Sequence, residues 1–344
     1  MKKSVLYTCI SLLCLLLASC ETEIKYEGEI TDPQMVVFAN LFPDSAVSCY
    51  VLHSFFFMDV PSNIKYSDSV HEEEVLKDAV VRCKINDGEW IALDSITPQK
   101  AYISSKPAAV VHASDKVVID VEHPIYGHTS AEQIVPQNAK IELIDYNIKP
   151  DTVLYNQNRA ENSYRIDYNI TIRLKAYTTS EKTIGRLRAT ISQNEQNVSV
   201  GMMSSSVVFA ELNPDMTEEG LAELFESDDY SYLVSSYQQL YYPMEQVSAQ
   251  GEEMVLYVTL NEESVRMYNF YYEGKLNIIS DVLTQDCYLY IVSMTQYKNT
   301  TTRIIGLGQQ EKVQIYGNFS GNVIGCMSAQ TNPTIIEIDL PKFK

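Results

Sequence analysis

Short stretches in which apolar and polar residues alternate dominate the chain from Met35 onward. A period of two is the pattern of a β-strand that is buried on one face only. Between Asp78 and Asn86 the apolar side chains take every second position, and the following Asp87-Gly88 predicts a turn. The chain is therefore predicted to be mainly β.

Residues 35–137 are predicted to form an N-terminal immunoglobulin-like β-sandwich. Strand-like runs separated by turn residues recur there at short intervals, about seven in all, which is the density typical of such a sandwich. The runs include Met35–Phe42, Val47–Phe57, Asp78–Asn86, Trp90–Leu93, Lys116–Val121 and Thr129–Val135. The domain is expected to end near Pro136.

Residues 138–344 are predicted to form a larger antiparallel β domain with one or two short helices. Its predicted strands are Lys140–Tyr146, Tyr164–Tyr177, Ile184–Val200, Met254–Leu260, Val313–Tyr316 and Thr334–Leu340. The segment Thr217–Glu226 begins with acidic residues, as the N-terminus of a helix prefers. The segment Thr284–Tyr297 has the spacing of an amphipathic helix.

The first 19 residues have the features of a lipoprotein signal peptide. Two lysines precede an apolar run that is too short to span a bilayer, and the run ends in Leu17-Ala18-Ser19-Cys20. We expect cleavage before Cys20, acylation of its sulfur by groups such as palmitate, and a lipidated tether over residues 20–34. The alternative is an ordinary signal peptide followed by a chance cysteine.

The charge balance restricts the partners of the mature chain. The whole chain carries a net charge of −19, and removing residues 1–19 takes away two of its 26 Lys and Arg and none of its 45 Asp and Glu, which leaves −21. Such a chain is repelled by nucleic acid and by anionic lipid heads. We expect no nucleic-acid partner, and the lipid anchor must supply the affinity for the membrane.

The acidic triplet Glu21-Thr22-Glu23 directly follows the expected lipidation site. It resembles the surface-export signal of Bacteroidetes lipoproteins, which predicts an outer-membrane protein that faces the cell exterior. A solvated tether on the periplasmic face is the alternative.

Four cysteines remain in the mature chain besides the acylated one. They are Cys49, Cys83, Cys287 and Cys326. Disulfides persist outside the cytoplasm, so the neighbours in sequence, Cys49–Cys83 and Cys287–Cys326, could pair. Four buried thiols that pack as small apolar groups are the alternative.

A cluster of tyrosines next to an acidic stretch is the candidate ligand site. Its members are Tyr230, Tyr232, Tyr237, Tyr241 and Tyr242, and the acidic residues run from Asp215 to Asp229. Tyrosine presents a flat apolar ring together with a hydroxyl, so such a cluster suits sugars or protein partners. The alternative for the tyrosines is packing within a sheet. The acidic stretch could by itself bind Ca²⁺, but it lacks the ligand spacing and central glycine of an EF-hand loop, and a solvated helix face and loop is the alternative.

Catalytic and metal-binding patterns are not evident. His123 and His128 flank a predicted turn and could share a metal, but no third ligand lies nearby in sequence. The chain contains neither a Gly-x-Ser-x-Gly elbow nor a P-loop. We therefore expect no cofactor, no metal and no enzyme activity. A glycosidase with two facing carboxylates is the remaining enzymatic alternative.

Several segments in a fixed order resemble the Bacteroidetes lipoprotein family known as domain of unknown function 4249. They are Cys20, Met35-Val36-Val37, Leu76–Val81, Asp115–Val121, Ile134-Val135-Pro136, Ile141-Glu142, Asp286–Tyr290 and Val313–Asn318 with Gly321 and Gly325. The resemblance covers nearly all of the mature chain, although Cys287 and Cys326 stand where the family has other residues. It implies an outer-membrane lipoprotein of a kind often associated with TonB-dependent transporters, and the family has no established catalytic residues that could be carried over to this chain.

These observations favour a non-catalytic accessory or ligand-capture module on the cell surface. A structural or adhesive surface protein, in which the sandwich serves as a spacer, is the alternative. A concave surface lined with aromatic residues would favour capture, and a convex, featureless one would favour a spacer.

Overall fold

The computed structural model describes residues 32–54, 74–105, 109–153, 163–175, 182–193, 196–200, 202–204, 239–247, 250–261, 274–295 and 315–340. Within these ranges the chain is mainly β, as predicted. Cys20 with the signal peptide, and the predicted helix Thr217–Glu226, lie outside them. Among the described residues no helix has the length and apolar character needed to cross a membrane.

In the described residues, eighteen strands precede an α-helix and three short strands follow it. The first ten strands are β1 (Met35–Leu41), β2 (Ser45–Ala46), β3 (Ser48–His53), β4 (Val80–Ile85), β5 (Ile91–Ala92), β6 (Ser95–Ile96), β7 (Tyr102–Ile103), β8 (Val110–Val111), β9 (Lys116–His123) and β10 (Gly127–Ile134). They are followed by β11 (Lys140–Val153), β12 (Ser163–Lys175), β13 (Thr183–Gln193), β14 (Gln196–Val200), β15 (Met202–Ser204), β16 (Gln239–Pro243), β17 (Glu252–Asn261) and β18 (Lys275–Thr284). Helix α1 covers 285–295, and β19 (Val323–Ile324), β20 (Met327–Ala329) and β21 (Thr334–Asp339) complete the order.

Two sheets enclose the first core. Sheet 1 has the order β19-β1-β3-β7-β6 with β20 also on β1, and sheet 2 has the order β10-β9-β4-β5. Their inward positions alternate along each strand, as in Val37 and Val51 of sheet 1 and Val81 and Ile119 of sheet 2. These side chains form one buried cluster, so the predicted N-terminal β-sandwich is present.

A second pair of sheets encloses the other core. Sheet 3 has the order β11-β12-β17-β15, and sheet 4 has the order β14-β13-β18-β21 with β16 also on β13. Ile170 and Ile172 from β12 pack in one cluster with Leu187 and Ile191 from β13. The larger antiparallel domain that was predicted from residue 138 onward therefore also buries one face of each sheet.

The chain returns to the first sandwich near its C-terminus. Strands β19 and β20 pair in parallel with β1, with Met35 opposite Val323 and Ala39 opposite Met327. Gly325 between them has φ +134°, and a Cβ there would lie 1.8 Å from the carbonyl oxygen of Val37. The predicted division at residue 137 did not include this return, because parallel pairing joins strands that are far apart in sequence.

A cluster of hydrogen bonds, here called the Asp286 clasp, links α1 to the first sandwich. The carboxylate of Asp286 accepts from Gln133 Nε2 at 2.8 Å, from Asn318 Nδ2 at 2.9 Å and from the Tyr316 hydroxyl at 2.5 Å. Asn318 also accepts from the backbone N–H of Met327 at 2.8 Å. Tyr316, Asn318 and Asp286 belong to the segments that carry the family resemblance, and here they connect three parts of the fold.

Three segments differ from the sequence-based expectation. The predicted strand Ile184–Val200 is two strands, β13 and β14, which pair antiparallel with Gln193 opposite Gln196. Strand β18 was not predicted, because Asn277, Ser280 and Asp281 interrupt its apolar pattern. The predicted strand Val313–Tyr316 has no strand at residues 315 and 316, and its first two residues lie outside the described part.

The predicted helix Thr284–Tyr297 is confirmed over 285–295. Thr284 Oγ1 accepts a hydrogen bond from the backbone N–H of Cys287 at 3.4 Å, as a side chain at a helix N-cap does. The buried residues of the helix are Cys287 and Ser293, whereas the predicted apolar face, which includes Tyr288 and Ile291, is only half-buried.

Candidate functional site

The tyrosine cluster predicted from sequence is only partly described. Tyr230, Tyr232 and Tyr237 lie outside the described residues. Tyr242 is fully buried in the second core, where its ring occupies the space that a Cβ on Gly185 would need. Tyr242 is therefore a packing residue and not part of a ligand surface, which corrects the prediction for this position. Tyr241, its neighbour on β16, points to the opposite face.

Strand alternation places charged groups beside Tyr241 on the outer face of sheet 4. On β13, Leu187 and Ala189 are buried in the core, so Arg186 and Arg188 face outward. Register sets Arg186 opposite Tyr241 on β16 and opposite Asp281 on β18. Three adjacent strands thus bring an aromatic residue, two arginines and an aspartate together.

Asp281 holds both arginines in fixed positions. Its carboxylate accepts from Arg186 Nε at 2.8 Å and Nη2 at 2.7 Å, and from Arg188 Nη2 at 2.7 Å. The Asp281 side chain is 3% exposed and that of Arg186 is 11% exposed, whereas Arg188 retains 32%. Burial alone would lower the pKa of Arg186, but its hydrogen bonds and ion pair with Asp281 raise that pKa. The Arg186 guanidinium therefore stays charged. Arg186, Asp281 and Arg188 are here called the Arg–Asp–Arg cluster.

Two tyrosines border the Arg–Asp–Arg cluster. Tyr241 from β16 meets Tyr288 from α1 edge-to-face, with ring centroids 5.0 Å apart. The Tyr241 hydroxyl donates to Gln239 Oε1 at 2.8 Å. Burial raises the pKa of Tyr241 to about 12, although the charge of Arg186 acts in the opposite direction. The phenol is therefore a neutral hydrogen-bond donor at physiological pH.

The arrangement is suited to binding an anionic group. Two guanidinium groups face one carboxylate, so the cluster carries one uncompensated positive charge within the described residues. Arg188 Nε is buried and has no hydrogen-bond partner among the described residues. A guanidinium with unused donors binds carboxylate or phosphate in a geometry that lysine cannot reproduce. Asp281 already accepts three charge-assisted hydrogen bonds, so its role is to hold the arginines.

Sequence reasoning did not identify Arg186, Arg188 or Asp281 as a group. The two arginines alternate with apolar residues on β13, which is also the pattern of an ordinary solvated strand face. Asp281 lies on β18, the strand that was not predicted. A charged residue within an otherwise buried strand is the signal that could have drawn attention to it.

The two histidines of the predicted hairpin do not meet at a metal site. His123 is buried, and its Nδ1 accepts from the backbone N–H of Ile125 at 3.1 Å. His128 instead lies 2.6 Å from Asp120 through its Nε2. Within the described part of the chain, no three His, Cys, Asp or Glu side chains are grouped as metal ligands would be.

The four cysteines for which disulfides were considered are all described, and each is free and buried. Cys49 and Cys83 belong to one core cluster, and a thiolate at Cys83 would raise the pKa of Cys49 beyond the effect of burial. Cys287 has the same influence on Cys326. The partners named from sequence are thus neighbours in space, but they are thiols, which corresponds to the alternative of small apolar packing groups.

Comparisons with known proteins do not assign this chain to a family. No protein-family model matches the chain, and no curated protein matches it. Among solved structures, the collagen adhesin from S. aureus is 10% identical, with 90% of this chain and 94% of that chain covered and a TM-score of 0.15. A similarity at that TM-score supports no argument about this chain.

Proposed function

We propose that this protein is an outer-membrane lipoprotein, held by a lipid on Cys20, that captures a ligand without catalysing a reaction. The signal peptide and the Leu17-to-Cys20 motif support the anchor. The acidic residues after Cys20 favour export to the cell surface. Two β-sandwiches, connected by the Asp286 clasp, then form a body that the tether carries outside the cytoplasm.

The observation that carries the capture proposal is the Arg–Asp–Arg cluster on sheet 4. Burying a carboxylate is costly unless it is paired, and here two arginines satisfy Asp281 while Arg188 remains a third exposed. The chain as a whole has a net charge of −19, so the charge of this group is opposite in sign to that of the whole molecule. Such a group attracts a ligand that carries a carboxylate or a phosphate.

The two tyrosines define the other half of the proposed ligand. Tyr241 and Tyr288 are half-buried and lie at the border of the cluster. Aromatic side chains at a binding surface contribute apolar area at a low cost in conformational entropy. The ligand class is therefore an organic anion with an apolar or ring-containing part, such as an acidic peptide or an acidic sugar.

A direct binding measurement tests this proposal. The soluble mature chain is titrated by calorimetry with aromatic carboxylates, acidic dipeptides and galacturonate oligomers. We expect one class to bind and Arg188→Ala to weaken it by about tenfold or more, because a charge-assisted contact is worth about 1.5–3 kcal/mol. Lys275→Ala is the matched control, since Lys275 is a cation on the same sheet that pairs with Glu337 away from the cluster.

The proposed site would be contradicted if Arg188→Ala and Lys275→Ala weakened binding equally. It would also be contradicted if no class of anion bound.

The family resemblance adds a partner to the proposal, a TonB-dependent receptor that would take up the captured ligand. Co-purification of the receptor from detergent-solubilised outer membranes supports this partner; recovery of the anchored protein without a receptor contradicts it.

A further inference from the structure

The single tryptophan of the chain lies on the outer face of sheet 2, on the other sandwich from the Arg–Asp–Arg cluster. Trp90 directly precedes the edge strand β5 and is 45% exposed. Its neighbour Ile91 packs against the first core, so the indole points away from that core. A large aromatic side chain at an exposed edge is a feature of recognition surfaces.

Hydrogen-bonding groups extend from Trp90 across the sheet. The Arg82 guanidinium lies over the indole, 4.8 Å from the ring centroid. Asp120 Oδ1 accepts from Arg82 Nε at 2.8 Å, and Asp120 Oδ2 lies 2.6 Å from His128 Nε2. The row Trp90, Arg82, Asp120 and His128 thus runs from the start of the edge strand β5 across strands β4, β9 and β10, about 14 Å at the usual spacing of strands.

The residue at the centre of this row is buried, whereas its two hydrogen-bonding partners are exposed. The Asp120 side chain is 10% exposed, whereas those of Arg82 and His128 are 46% and 55% exposed. The buried carboxylate therefore fixes two exposed donor groups, since a bond to each restricts its rotation. Both Nη atoms of Arg82 and Nδ1 of His128 have no partner among the described residues. The side chains are ordered before any ligand arrives, which lowers the entropic cost of binding.

The charge of the row indicates what it would bind. Arg82 and Asp120 compensate each other, and the surrounding chain is strongly acidic. In contrast to the Arg–Asp–Arg cluster, no guanidinium here lacks a counter-charge. A neutral ligand rich in hydroxyl groups fits such a row, because hydroxyls both donate and accept hydrogen bonds. If the ligand also contains rings with an apolar face, that face can cover the exposed aromatic surface. An extended sugar chain combines these properties over the length of the row.

We infer that the row Trp90, Arg82, Asp120 and His128 is a binding site for neutral oligosaccharides, separate from the proposed anion site. Trp90 stacks against a sugar ring, Arg82 and His128 hydrogen-bond to hydroxyls of the ring or its neighbours, and Asp120 is a positioning residue. The site lies on a flat sheet near its edge, so the ligand is a chain that crosses several strands and not a single enclosed sugar.

The fluorescence of Trp90 reports this site directly. With excitation that selects the one tryptophan over the 24 tyrosines, the soluble mature chain is titrated with cellohexaose, maltohexaose, mannohexaose and anionic hexagalacturonate. We expect a saturable change in the emission with at least one neutral hexasaccharide at concentrations up to about 5 mM, the range of weak single-site binding. Hexagalacturonate is expected to leave the emission unchanged.

Calorimetry with the hexasaccharide that binds then assigns the residues. Trp90→Ala is expected to weaken binding by about tenfold or more, and Arg82→Gln by about threefold or more, as loss of a stacking surface and of a hydrogen bond would. Tyr257→Ala removes an aromatic residue that is 41% exposed on the other sandwich and should bind as the wild type does. Unchanged melting temperatures establish that all three variants are folded.

Three results would overturn the inference. These are no change in emission with any neutral hexasaccharide, binding of the neutral hexasaccharide by Trp90→Ala as tight as that of the wild type, and a change in Trp90 emission with hexagalacturonate alone. None of them bears on the anion site, because Arg188 and Trp90 lie on different sandwiches.

Discussion

Gly325 lies where the C-terminal segment crosses β1, and the contact excludes any side chain. A Cβ there would lie 1.8 Å from Val37 O, at φ +134°. Gly127 also has a positive φ, +81°, but nothing lies within 4 Å of its added Cβ. The two positions therefore separate the cost of backbone strain from the cost of a steric clash.

Replacing each of these glycines by alanine should have very different effects. We expect Gly127→Ala to lower the free energy of unfolding by about 1 kcal/mol, the cost of a left-handed backbone. Gly325→Ala should lower it by more than about 3 kcal/mol, because the clash forces β19 and β20 away from β1. Urea unfolding of both variants checks this, and equal losses would show that the crossing is not as close as described.

Buried thiols make stability depend on alkaline pH. Burial raises the pKa of Cys83 and of Cys287 to about 11. An unfolded thiol ionises near about pH 8.5. Above that pH the unfolded state releases protons that the folded state keeps, so stability present below about pH 8.5 is lost as the pH rises towards 11.

The double variant Cys83→Ala with Cys287→Ala isolates this effect from the tyrosines. Each thiol should contribute a slope of about 1.4 kcal/mol per pH unit between the two pKa values. Urea unfolding in the presence of a reductant, at several pH values from about 8 to about 10.5, should give a shallower decline for the variant. Parallel curves for variant and wild type would mean that these thiols are accessible to solvent.

At the scale of elements, patterns local to one strand were predictable and pairings distant in sequence were not. The alternation in β4 and β12 is visible in the sequence because each of these strands buries one face. Strand β18 buries both faces, with α1 and the Arg–Asp–Arg cluster on its outer side, so polar residues at buried positions concealed it. Tyr242 was placed in a ligand site because its residue type does not tell which face of β16 it takes.

The Asp286 clasp is an element-scale feature whose contribution to stability can be tested. Three donors, from Gln133, Asn318 and Tyr316, converge on this carboxylate. Asp286→Ala leaves the Tyr316 hydroxyl without its acceptor, whereas Gln133 and Asn318 keep their hydrogen bonds to the carbonyl oxygen of Met327. The substitution should cost about 1–3 kcal/mol. Gln285→Ala is the matched control, because Gln285 is exposed in the same first turn of α1.

The clasp variant also tests how the two sandwiches are coupled. In the wild type we expect one cooperative urea transition, since the clasp connects α1 to the first sandwich. In Asp286→Ala the transition should broaden or divide into two. A single sharp transition with an unchanged midpoint would contradict a coupling role for the clasp.

At the scale of the whole molecule, the proposal depends on an anchored, strongly acidic body. The composition and the first 20 residues predict that arrangement without any structural information. The two cores could also be anticipated from periodicity, whereas the return of the C-terminal segment could not. The net charge of −21 that remains once residues 1–19 are removed provides no attraction to an anionic membrane, so in this proposal the acyl chains on Cys20 supply the attachment.

Metabolic labelling with palmitate, followed by membrane fractionation, tests the anchored character of the protein most directly. Wild-type protein should incorporate the label and remain with the outer membrane. Cys20→Ala should be unlabelled and absent from the mature membrane-bound fraction, while Cys49→Ala, which removes a buried thiol of the body, should be labelled as the wild type is. An unlabelled wild type, or a Cys20→Ala variant that is processed and membrane-bound as before, would contradict the account.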